Sequence, residues 1–548
     1  MAMQTVKTPF TNMSFTPDVP SSSLGANEYN AGQNIETNVR GINSVAGDQY
    51  ILSAIPGNVI FVTSGFDIND VYWFIAATAQ GQWYAVDVAG ITNITPTVGT
   101  YLSTYSTSTV ITASWNGTVV FLNDELNPPM YFAPGQWQEI RLYDNSPDNY
   151  VWNYDLGYDS TGNVVPLYSS LTAGFVRVYN SPNLGSLLIA GNLTGNINAN
   201  VVPDGGTVQH LPTSVRWSQN FGLNSGPTTW APTVTNTANQ VELPVRGSVI
   251  DGFPLNGNFY ICSYWDTCLM SPIAYQSSYA PVFGIKLVNQ GRGLLNENCW
   301  VNVDNTVFGL DARDIWQFDG GNFKAIGNQR VKKYFYNNLN PSYTNQLFMT
   351  HNSSKYQIEI YYPDLTSTGQ CNQMLAYRYD LDAWQPPRAV TKATQATEAP
   401  IFTANVPNLA TRTVIYSTYA TDSSNNAHLV QKDSGTSFLG NTTINAVFQR
   451  NNISYGQPYS ASVLVHRVLP EVYGTGNISI AIGGANSVDS SPTYKPTQVV
   501  AIDTENPWVQ IDQNEARVVT MQVSGNSAVD TWQMTAANWQ VTVVQDTR

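Results

Sequence analysis

Charge is scarce in this 548-residue chain: Asp, Glu, Lys and Arg together make up 11% of it, against about 25% in an ordinary globular domain. Basic residues are the scarcer kind, 24 against 38 acidic, for a formal net charge of −14. That excludes a protein that grips nucleic acid, because such affinity comes from a basic face that neutralises phosphates. A chain of this charge can still surround DNA without holding it. Cysteine is limited to Cys262, Cys268, Cys299 and Cys371, with no Cys-x-x-Cys, so there is no disulfide framework. Buried, reduced thiols are the expectation, with a Cys262–Cys268 pair left open. The four histidines, His210, His351, His428 and His466, each stand alone in sequence. None sits in a cluster at metal-ligand spacing. Long apolar runs are missing as well. Stretches such as Tyr72 to Ala77 fall far short of the ~20 residues a membrane span needs. Met1 to Lys7 lacks the apolar core of a secretory signal, so the sequons at Asn93, Asn116, Asn192 and Asn452 read as incidental.

The motifs of common enzymes are missing too. There is no Gly-x-Ser-x-Gly elbow and no Walker loop. Gly474-Thr475-Gly476 lacks the third glycine of a dinucleotide loop and reads as a turn. No catalytic, cofactor-binding or metal residue can be nominated. The enzymatic alternative is a polysaccharide-degrading propeller with paired carboxylates. Ser487 to Tyr494 faintly resembles the Asp box of sialidase propellers, but that motif repeats across blades and here occurs once, with Gly and Trp replaced.

What the chain does have is aromatic and uncharged polar residues. It carries 31 Tyr and 14 Trp, and 42% of it is hydrophobic, which suits half-exposed strands and wide interfaces rather than disorder. From Gln49 onward, short apolar runs alternate with turn signals. Asn116-Gly117 divides Ile111–Trp115 from Thr118–Leu122, and Asp304-Asn305 turns the hairpin from Trp300 to Phe308. Asp319-Gly320-Gly321-Asn322 divides Ile315–Phe318 from Phe323–Ile326. Such pairs mark tight hairpins because their positions need φ > 0. Over about 390 residues almost no helical period occurs. The expectation is an all-β fold, an irregular β-propeller over residues 46–438 with an additional C-terminal β domain over 439–548. Blade number is not legible: Phe323 to Trp384 spans 61 residues, too long for a common blade. Residues 1–45 read as an extended N-terminal arm, packed with the C-terminal domain.

Three local features invite function. Asp144, Asp148, Asp155 and Asp159 lie among Tyr and Trp in residues 143–170, without the spacing of an EF-hand. This stretch reads as a long exposed loop that contacts a neighbouring subunit or fibre. Trp83, Trp137 and Trp384 open strands after turns and read as blade core, against a carbohydrate-binding alternative. Lys324, Arg330, Lys332 and Lys333 form the marked basic cluster, a solvated face or a contact with an acidic neighbour.

Several of these segments together resemble a known family. Arg216-Trp217-Ser218, Trp230-Ala231-Pro232, Ile250-Asp251-Gly252, the Val307-to-Phe318 pair and Asp319-Gly320-Gly321 look like the tail nozzle proteins of short-tailed bacteriophages, also called tail stabilisation or tail tubular B proteins. The resemblance is firmest over residues 200–390 and returns near Gly474–Gly483 and Trp532–Val544. Family members often end in a basic tail, whereas this chain ends in Asp546-Thr547-Arg548. The resemblance implies a virion structural protein and no enzyme or cofactor. It implies a homo-hexameric ring below the adaptor (head-to-tail connector) ring. That ring extends the DNA ejection channel, retains the genome and docks tail fibre or spike proteins. Viral duplex DNA passes through it without specific binding. No membrane anchor is implied, and the place is the virion tail, assembled in the host cytoplasm.

Overall fold

Alternation with a period of two runs through the strands, and in the computed structural model it is read on both faces. The structure describes residues 3–97, 101–106, 108–144, 150–273, 282–455, 461–487, 490–502, 508–527 and 531–545. Five antiparallel sheets of four sequential strands follow one another, from Val59–Phe66 through Phe323–Ala325. An eight-stranded sheet then holds two more such groups, fused through the 16-residue strand Arg388–Thr403. The result is a seven-bladed β-propeller. Its first strands pack against one another around the axis: Tyr168–Ser181 on Val249–Leu255, Phe348–Asn352 on Arg388–Thr403, and Arg388–Thr403 back on Val59–Phe66.

Each blade is buried on both faces, since a radial sheet has a neighbour on either side. Phe74 packs toward the seventh blade while the next residue, Ile75, packs toward the second. Val120 and Leu122 face the first blade, and Phe121 between them faces the third. A one-residue slip would exchange those two interfaces, which is what pins the register. The turns fall where the sequence places them. Gly117 has φ 62 and Asp304 φ 53, the left-handed conformation a tight hairpin needs.

Ring closure uses the beginning of the propeller. Asp48–Pro56, which precedes the first blade, pairs antiparallel with Asn426–Lys432 as the outermost strand of the seventh. The 61-residue spacing has a simple cause: an α-helix, Lys332–Asn338, and a 3-10 segment, Pro341–Gln346, are interposed between blades five and six.

The two chain ends form a β-sandwich beside the propeller. Thr531–Gln545 pairs with Ala461–Thr475 on one side and with Gln4–Pro9 and Gly41–Ser44 on the other. Ala31–Gln33 borders the facing sheet at Ile444–Ile453. Within residues 1–45, Gln4–Pro9, Ala31–Gln33, Ile35–Asn38 and Gly41–Ser44 are strands of this sandwich, Ser14–Phe15 and Glu28–Tyr29 pair separately in parallel, and the aromatics Phe10, Phe15 and Tyr29 are core. Phe10 stacks edge-on at 5.3 Å against Phe448, which also meets Tyr29 at 5.2 Å. Phe15 meets Tyr334 of the helix at 5.4 Å. One apolar core runs from Trp539 and Val465 of the sandwich to Phe308 and Ile360 of blades five and six. Among the described residues, no helix is long and apolar enough to cross a membrane.

Candidate functional site

One guanidinium joins the inner strands of neighbouring blades, beside a cavity of about 300 Å³ lined by Phe61, Ile111, Phe348 and Gln395. Arg177, on the inner strand of blade three, donates to Asp251 of blade four at 2.9 and 2.5 Å. It also donates to the Ala113 carbonyl of blade two at 2.7 Å and to the Glu297 carbonyl ahead of blade five at 3.0 Å. Trp300 of blade five donates its indole N–H to Asp251 at 2.7 Å and lies under the guanidinium at 5.2 Å. A single cation thus ties four blades together. Asn298 donates across the axis to the Ile111 carbonyl at 3.2 Å.

Close to Arg177 and Asp251 in the fold are two carboxyls with displaced acidities. Burial, then the charge of Glu125, raises Glu297 to about 8. Burial likewise raises Glu125 to about 7, opposed by the Val110 N–H and reinforced by Asp124. Near neutrality this pair retains protons that ordinary glutamates have lost. Raised carboxyls in a propeller would suit a general acid, yet Glu297 is only 8% exposed, so its acidity has little access to a substrate. No sequence signal joins Glu125 to Glu297; only ring closure brings residues so far apart in the chain together.

A second charge cluster lies where the ring closes. Arg388 meets Asp48 at 2.6 Å and Asp433 at 2.5 Å. Lys355 reaches Glu36 at 2.6 Å and Asp433 at 3.0 Å, and Lys432 reaches Glu359 at 2.9 Å. Burial pushes the Asp433 carboxyl up, but Lys355, Lys432 and Arg388 overcome it and hold it well below the usual carboxylate range. The cluster joins blades six and seven to the chain's first 48 residues. Its charges are spent on one another, which makes it a clamp.

The residues singled out in the sequence scatter. His210 bonds Thr194, His428 stacks on Tyr50 at 4.3 Å, and His466 bonds Thr542 at 2.8 Å. His351 comes near Ser353 and Glu398. Ser353 donates to the carboxylate, and His351 Nδ1 lies 3.7 Å from its other oxygen. The serine therefore has no imidazole base, unlike a hydrolase triad. All four cysteines are free and buried. Ile261 is opposite Cys268 and Cys262 is opposite Thr267, so Cys262 and Cys268 project from opposite faces of one sheet and cannot pair. In the basic cluster, Arg330 pairs with Asp382 at 2.8 Å and Lys332 lies 3.8 Å from Asp314. Asp144 accepts from the Trp152 N–H at 2.6 Å, Asp155 pairs with Arg216 at 2.7 Å, and Asp159 accepts inside its own turn. Asp148 and Asp489 lie outside the described residues. Among the described residues no group of three His, Cys, Asp or Glu is placed to hold a metal.

Trp83 and Trp384 are fully buried blade core. Trp137 is not. It is half-buried on the wall of a groove of about 1050 Å³ between blades one and two, which Trp73 also lines. The turn-then-Trp pattern is common to all three positions. Trp137 differs because it opens no strand: it lies in the connection between Met130–Phe132 and Arg141–Leu142, whereas Trp83 and Trp384 are strand residues.

No family model matches this sequence, and no curated protein matches it. Among solved structures that match is one titled "Crystal structure of BBS1N in complex with ARL6DN, soaked with mercury". It is 7% identical, with a TM-score of 0.37 over 71% of this chain and 96% of that one. A likeness at that level leaves the partners and activities of the two chains unconnected.

Proposed function

We propose that this chain is a structural subunit with the function of the nozzle proteins it resembles, and not an enzyme. In that reading, six copies form a ring below the adaptor, extend the DNA ejection channel, retain the genome and dock fibres or spikes in the virion tail. One observation supports it above the others: the motifs behind the resemblance fall on the joints of the scaffold. Arg216 bonds the Trp152 carbonyl at 3.0 Å, Asp155 at 2.7 Å and Gln240 at 2.7 Å, and Asp251 anchors the Arg177 guanidinium that joins four blades. A chain similar at those joints shares the framework rather than a reaction. In the ring the net charge of −14 per chain leaves phosphates unheld. Light scattering of the purified protein with its adaptor ring should give six copies per assembly, and those assemblies should not retain duplex DNA at low salt. A protein that stays monomeric beside adaptor rings, or that binds duplex with a steep salt dependence, refutes the reading.

A further inference from the structure

We infer that the groove between blades one and two binds a neutral glycan, a property separate from ring assembly.

The walls of the groove supply two indoles. Trp73, on the second strand of blade one, is fixed by its N–H to Asp67 at 3.1 Å. Trp137 lines the groove from blade two. The guanidinium carbon of Arg141 lies 4.0 Å from the centre of the Trp137 ring, and Tyr131 meets that ring edge-on at 5.4 Å. Both indoles are held in place by protein contacts before any ligand arrives. Rigid aromatic surfaces of this kind take up a flat apolar face at little entropic cost.

Between and around the indoles are amides. Gln82 accepts from Asn93 at 3.1 Å through its carbonyl oxygen, which aims its NH₂ group elsewhere. Gln136 and Gln138 are exposed on the rim. Glu139 binds the Thr97 N–H and hydroxyl through one carboxylate oxygen, at 2.8 and 2.5 Å, and its second oxygen remains for a donor. Among the described residues, no lysine or arginine lines the groove.

That inventory selects the occupant. A pyranose ring has an apolar face of C–H bonds for an indole, and each of its hydroxyls both donates and accepts, as side-chain amides do. A proline-rich segment would also lie on tryptophan, but it has few N–H groups for the acceptors on Glu139 and the glutamines. An anionic sugar would meet the Glu139 carboxylate in a groove whose lining carries no cation, Arg141 lying against the Trp137 ring outside that lining. The volume, about 1050 Å³, is at the upper end of the ~300–1,000 Å³ of small-molecule sites, which fits an oligosaccharide better than a single ring.

The test is saturation-transfer NMR with tryptophan fluorescence on the full chain. The probes are maltohexaose, cellohexaose, mannohexaose and chitohexaose, with an alginate hexamer and a decaproline peptide alongside. At least one neutral hexasaccharide should bind, and the alginate and decaproline should not. Trp137→Ala should weaken that binding about tenfold. Gln138→Ala, an exposed change that leaves the fold intact, should weaken it several-fold, as expected for roughly one lost hydrogen bond. The inference is overturned if no neutral hexasaccharide binds, if binding survives both substitutions, or if decaproline competes for the site. None of these outcomes depends on whether the chain forms rings.

Discussion

Replacing Glu297 with glutamine isolates the contribution of one buried proton to stability. In the folded chain Glu297 titrates at about 8 instead of 4.5, first because it is buried and then because Glu125 repels its charge. Asp251 adds to that repulsion and Arg177 opposes it. The sign follows from proton binding. Between 4.5 and about 8 the folded chain holds a proton that the unfolded chain has released, so stability falls as pH rises through that window. Each pH unit across it is worth about 1.36 kcal/mol, so the full loss is about 5 kcal/mol. Glutamine keeps the shape and carries no charge, so Glu297→Gln should lose this slope. The variant should match the natural protein at pH 4.5 and exceed it by several kcal/mol at pH 8.5. Part of the gain arises because removing the charge at 297 also relieves Glu125. Guanidinium unfolding of both proteins at the two pH values gives the double difference directly, since titrating groups not coupled to residue 297 cancel and only the Glu297–Glu125 pair remains. An equal gap at pH 4.5 and 8.5 would refute the reasoning, because packing changes do not depend on pH.

Two further outcomes follow from other interiors. Arg177→Met should destabilise the propeller by about 3–5 kcal/mol, because it leaves Asp251 buried without its cation, and adding Asp251→Asn should recover much of that loss in a double-mutant cycle. The four thiols should resist a disulfide-exchange reagent in the native state and all react once unfolded. Burial pushes Cys262 up to about 12 and Cys268 up to about 11, so neither is a thiolate at neutral pH. Fast native-state labelling would count against the buried assignment.

The sequence by itself determined the fold class and much of the punctuation. Period-two apolar runs and pairs such as Asn116-Gly117 and Asp304-Asn305 act locally, through pleat geometry and the φ a turn demands, so they are legible without neighbours. The chain's scarcity of basic residues and its lack of His or Cys at ligand spacing are likewise read without neighbours. What tertiary structure decided is everything that depends on which strands become neighbours. Asp48–Pro56 reads as the start of the propeller, yet it completes the last blade, because ring closure pairs segments from opposite ends of the domain. The face each residue presents decided that Cys262 and Cys268 stay apart. Blade packing buried Trp83 and Trp384 and left Trp137 on a groove, although the same local pattern precedes all three. The acidities of Glu125 and Glu297 came last of all. Neither residue has a signal of its own, and their shifts exist only because the packing of the blades buries both and brings their charges near each other.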